Sequence, residues 1–104
     1  MFFNTNLRKV VLESGDLKAL IFFMKAGKEM EQARMFYSPG VPEYLFEEAI
    51  NSAISYIRQV ESRLDVAVMF NSDSIKENFD TAYAEWTQAA GALLTYSEIS
   101  RICA

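Results

Sequence analysis

The sequence predicts an all-α fold: a small helical bundle in which a short N-terminal helix precedes three long ones, the last two forming an extended antiparallel hairpin. One observation is a 4-3 stride of apolar residues, the spacing that lays a stripe down one side of an α-helix. It runs unbroken through Ala19, Phe23, Ala26, Met30, Ala33 and Tyr37, through Phe46, Ile50, Ala53, Ile57, Val60, Leu64 and Ala67, and through Ile75, Phe79, Ala82, Trp86, Ala89, Leu93 and Tyr96. The other is that Gly15-Asp16, Ser38-Pro39-Gly40-Val41-Pro42 and Asn71-Ser72-Asp73-Ser74, groups that break or cap helices, fall outside these stripes. At 104 residues, with 51% of them apolar, the chain is read as one domain over 1-104 with enough side-chain volume for a core of its own.

The first helix is expected from about Asn6 to Ser14, capped by Thr5 or Asn6 and ended by Gly15, a residue suited to the left-handed conformation of helix C-termini. Asp16 supplies the N-cap carboxylate of the second, which begins at Leu17 and reaches Tyr37, with Gly27 as the place for a bend or break. A β-hairpin over Arg8 to Phe23, turned at Ser14-Gly15-Asp16, is the competing reading. The stripe that starts at Ala19 decides against it. In the second helix small and large residues alternate along the seam, and a further apolar set, Leu20, Ile21, Phe22, Met24, Met35 and Phe36, lies off it. That helix needs cover on more than one side.

Ser38-Pro39-Gly40-Val41-Pro42 is the clearest break, with Pro42 at the first position of the third helix and Glu43, Glu47 and Glu48 complementing its dipole. This helix is expected to continue to about Phe70. Asn71-Ser72-Asp73-Ser74 interrupts it, and Ser74 with Glu77 makes a capping box for a fourth helix running from Ile75 to Cys103. The two last helices then have 29 residues each, roughly 43 Å, and a short polar turn between them implies the hairpin.

Leu12-Glu13-Ser14-Gly15-Asp16-Leu17 followed by Ala26-Gly27 resembles the inner helix, tight turn and outer helix of an ankyrin repeat over about twenty residues. No Thr-Pro-Leu-His opening occurs and no second copy follows, so the segment is read as a generic αα-hairpin and no binding residues are carried over. The chain also has the size of small helical secreted dimers turned by a Trp-x-Gly loop. Its Trp86, however, sits inside a stripe and is followed two residues on by Gln88.

Composition excludes several chemistries. There is no histidine, which removes the commonest neutral-pH base and metal ligand and with them the usual triads and the Glu-x-x-His di-iron motif. Phosphate loops, dinucleotide fingerprints and nucleophile elbows are missing. No enzyme activity, cofactor or metal is expected, and the clusters Glu43, Glu47, Glu48 and Asp73, Glu77, Asp80 are read as solvated helix starts. The single Cys103 makes no internal disulfide. Neither a membrane span nor a secretion signal is recognisable, so the cytoplasm is the expected location.

The net charge of −4 is unevenly shared: six basic and four acidic residues through Tyr37, four basic and ten acidic from Ser38 onward. The first part is suited to packing on the second, within one chain or between copies. No nucleic-acid site is expected from basic residues this scattered. The off-seam residues Phe22, Met35, Phe36, Tyr44, Tyr56 and Phe70 are the candidates for self-association or for a protein partner. The expected function is a non-catalytic interaction module, a homodimer acting as a small inhibitor or adaptor that occludes a partner protein. Two alternatives are a sensor or small enzyme whose bundle encloses a small anionic ligand held by Arg34, Arg58 or Arg63 with Tyr56, and an acidic surface that imitates nucleic acid.

Overall fold

The computed structural model describes residues 1–91, and these form an all-helical arrangement of α1 (Leu7–Ser14), α2 (Leu17–Phe36), α3 (Glu43–Leu64) and α4 (Phe79–Ala90). The segment 8–23 is thus two helices joined at Gly15-Asp16 and not a β-hairpin. Gly15 ends α1 with φ 66°, and Asp16 opens α2 by accepting a hydrogen bond on Oδ1 from the Ala19 amide at 3.0 Å. The start of α1 is held differently from the expected side-chain cap. Asn6 occupies the cap position without a cap bond of its own, while Asn4 accepts from the Asn6 amide through its side chain (2.9 Å) and from the Leu7 amide through its carbonyl (3.1 Å).

Gly27 does not break α2, which is continuous from Leu17 to Phe36. It faces α4, where a β-carbon built on it would lie 3.8 Å from Cζ2 of Trp86. Pro42 sits one position earlier than expected, as the N-cap of α3, with Glu43 the first helical residue.

The long antiparallel pair is α2 with α3, not the last two helices. Asp16 meets Arg63 at one end, Phe22 stacks on Tyr56 midway, and Tyr37 touches Phe46 at the turn. Ala19, Ala26 and Ala33 on α2 and Ala49 and Ala53 on α3 are all buried, and small side chains on both helices let the backbones approach.

The hairpin expected from Pro42 to Cys103 is corrected at both of its inner ends. α3 stops at Leu64, six residues short of Phe70, because Asp65 takes the left-handed conformation (φ 50°), one that aspartate tolerates better than most residues. The Glu61 carboxylate then accepts the amides of Val68 (3.0 Å) and Met69 (3.2 Å), donors that a continuing helix would have satisfied otherwise. Val68 and Met69 are thereby buried against the N-terminal strand-like segment, through an antiparallel bridge of Phe3 with Met69 and the bonds Asn4 N to Val68 O and Phe70 N to Phe2 O, both 2.8 Å. Ala67, the last residue of its stripe, is exposed.

From there the chain runs back along α3: Arg58 reaches Ser72 (2.8 Å) and Glu47 reaches Lys76 (3.6 Å). Ser72–Ser74 is a 3-10 turn, and the fourth helix begins at Phe79 with Asn78 in the cap position, so Ser74 and Glu77 do not cap it. Having returned to the Ser38–Pro42 end, the chain enters α4 parallel to α3 and antiparallel to α2. Leu93, Tyr96, Cys103 and the rest of the helix expected after Gly91 lie outside the described residues.

Two aromatic knots close the core. At the turn end, ring centroids of Tyr37, Phe46 and Phe79 are 5.0 to 5.1 Å apart, with Phe46 and Phe79 edge to face. At the other, Trp86 meets Phe3 (5.4 Å, edge to face) and Phe23 (5.8 Å). Such pairs contribute about 0.5–1.5 kcal/mol beyond the area they bury. Phe2 and Phe3, on no stripe, are both buried.

Two substitutions test this account by urea denaturation. Glu61→Ala strands the Val68 and Met69 amides and is expected to lower the unfolding free energy by about 2 kcal/mol. Gly27→Ala places a methyl at ordinary contact distance from Trp86 and is expected to raise it by up to about 1 kcal/mol, from helix propensity alone.

Candidate self-association face

α2 is apolar around most of its circumference. Its core side carries Ala19, Phe23, Ala26, Met30 and Ala33, all buried. With each residue turned by about 100°, Leu17, Ile21, Met24 and Met35 fall within an arc of about 60° on the opposite side. They are 47%, 42%, 44% and 69% exposed. Their spacing repeats the 4-3 stride of the buried seams, and the two intervening positions of the row are exposed Lys28 and Glu31. The helix therefore carries two stripes of the same period, one covered by α3 and α4, the other open among the described residues.

Several side chains hold α2 in place beside that open row. The Asp16 carboxylate takes Nε of Arg63 at 3.1 and 3.2 Å, fastening the start of α2 to the end of α3. The Ala19 amide, and after it Arg63, keeps the Asp16 carboxyl below its ordinary pKa. The Tyr83 hydroxyl of α4 donates to Oε1 of Glu31 at 2.7 Å, and this bond to a carboxylate pushes the phenol pKa up. Lys25 lies over the Tyr56 ring and Arg34 over the Tyr83 ring, 5.7 and 5.8 Å from the centroids.

Of the six expected interaction residues, only Met35 is on the open row. Phe22 and Tyr56 stack on each other at 6.3 Å, half-buried in the side of the α2–α3 pair. Phe36 is half-buried at the turn end, Tyr44 stands 60% exposed at the start of α3, and Phe70 is 52% exposed after the bridge with the N-terminus. The six do not form one patch. Leu17, Ile21 and Met24 were legible as an exposed row only through their angular position opposite the seam, since aromatic character alone does not point to them.

The three arginines do not converge either. Arg58 pairs with Glu61 (3.0 Å) and Ser72, Arg63 with Asp16, and Arg34 with the Tyr83 ring. An open groove of about 600 Å³ at the Ser38–Pro42 end is lined by Phe36, Tyr37, Val41 and Phe46 with Glu43 and Glu47, and none of the arginines reaches it. Among the described residues no three His, Cys, Asp or Glu side chains are grouped to hold a metal ion, and no helix is long and apolar enough to cross a membrane. Comparison with protein-family models, with curated proteins and with solved structures finds no match.

The depressed Asp16 pKa has a testable sign. A carboxylate more acidic in the folded chain stabilises it fully above its unfolded pKa and loses that contribution as pH falls through the folded one. Asp16→Asn is expected to flatten the decline of the melting temperature as pH falls below the ordinary carboxylate range, measured by circular dichroism.

Proposed function

We propose that the chain is a non-catalytic interaction module that self-associates as a two-fold symmetric dimer through the open row of α2, and that such a dimer serves as a small inhibitor or adaptor occluding a partner protein. The exposed row Leu17, Ile21, Met24 and Met35, set opposite the core on a helix pinned at both ends, carries the reading. A row of this kind can be self-complementary, because a dyad perpendicular to the helix lays it on the same row of a second copy, residue i facing j and j facing i. The unbranched, flexible Met24 and Met35 can interlock with the branched Leu17 and Ile21, as in paired helices.

Sedimentation velocity tests it. The wild-type chain is expected to be dimeric at tens of micromolar, and Ile21→Glu or Met24→Glu to make it monomeric with its helical circular dichroism unchanged. A monomer at every concentration overturns the reading, and so does a dimer that neither substitution weakens.

A further inference from the structure

Resting on that self-association, we infer that the two copies of α2 pair antiparallel in one register, with Lys28 of each copy opposite Glu31 of the other. The occupant of the open row is thus a second copy, selected by charge. The row reads Leu17, Ile21, Met24, Lys28, Glu31, Met35 at alternating steps of four and three, all exposed, so any lengthwise pairing must place Lys28 and Glu31 somewhere in an otherwise apolar contact. A charge left there without its opposite is costly, and a like charge facing it more so.

Parallel pairing sets Lys28 against Lys28 and Glu31 against Glu31. Antiparallel pairing avoids this, and the layers decide the register. When Lys28 meets Glu31 of the second copy, the dyad makes the same pair twice, and Met24 meets Met35 on either side of it. The result is a central pair of ionic layers flanked by two thioether layers. Sliding one copy by one heptad in one direction sets Lys28 against Met24 and Glu31 against Ile21, and by a second heptad Lys28 against Leu17. In each case apolar residues face unpaired charges. In the favoured register Leu17 and Ile21 extend past the ionic layers to the second copy's Ser38–Pro42 turn.

The carboxylate that this register needs is already positioned, since Tyr83 of α4 donates to Glu31 Oε1 at 2.7 Å. The row is therefore specific in register as well as adhesive: its apolar members supply contact area and its two charges choose the alignment.

Charge reversal tests the register by sedimentation velocity at low salt. Lys28→Glu and Glu31→Lys are each expected to weaken the dimer at least about tenfold, by replacing two attractive layers with two repulsive ones. The double variant restores the pairs with reversed sense and is expected to regain affinity to within about threefold of wild type. If Met24→Glu abolishes the dimer but the double reversal is no tighter than the single ones, or the single ones cost nothing, the register is overturned while the self-association reading stands. A dimer weakened by Ile21→Glu but not by Met24→Glu overturns the register alone, whereas a wild-type monomer, or a dimer indifferent to both substitutions, overturns both. If a reversal loses helical dichroism, Lys28→Ala, Glu31→Ala and their double form a cycle instead, and absence of coupling between them overturns the register.

Discussion

The arrangement of this chain turns on the carboxylate of Glu61. It sits one turn before the end of α3, largely shielded from solvent, and accepts two backbone amides from the segment that follows while also holding Arg58. A helix that ends needs partners for its freed groups, and a chain that reverses direction needs its next amides satisfied at the bend. Glu61 does the second, and the left-handed Asp65 permits the first. Because the bend is closed there, Val68 and Met69 turn inward, the N-terminal segment pairs with them, and Phe3 reaches Trp86. The path back along α3 then decides where α4 starts and in which direction it runs.

That path has a consequence for the surface. With α4 returning to the Ser38–Pro42 end before it becomes helical, it packs on α2 antiparallel rather than extending α3 into a second long hairpin. α2 is covered on adjoining sides by α3 and α4, and none of the described residues covers its remaining side, which carries four large exposed apolar residues. The same geometry sets Tyr83 beside Glu31 and Arg34, so polar contacts from α4 border the open row. Core packing and the free face are two outcomes of one topology.

Much of this was legible from residue spacing. The stripes at 4-3 stride are buried along nearly their whole described length, and the caps at Gly15 and Asp16 act as their chemistry requires. The apolar residues off the seam of α2 signalled a helix in need of a second cover. What spacing misplaced was the region from Leu64 to Asn78, where Ala67 and Ile75 continue the stride on either side of a segment that is not α-helical. Local periodicity favoured helix there, and the hydrogen-bonding of Glu61 together with the burial of Val68 and Met69 against Phe2 and Phe3 outweighed it.

The sequence by itself determined the helical class, the extent of α1 and α2 to within a residue, the turn at Ser38–Pro42 and the core faces, because each depends on contacts between residues a few positions apart. Only the tertiary structure decided that α2 and α3 are the long pair, that Phe2 and Phe3 belong to the core, that Arg34, Arg58 and Arg63 are dispersed, and which side of α2 is left uncovered. Those outcomes depend on long-range pairings such as Phe3 with Met69 and Arg63 with Asp16, whose partners lie too far apart along the chain for any local pattern to encode them.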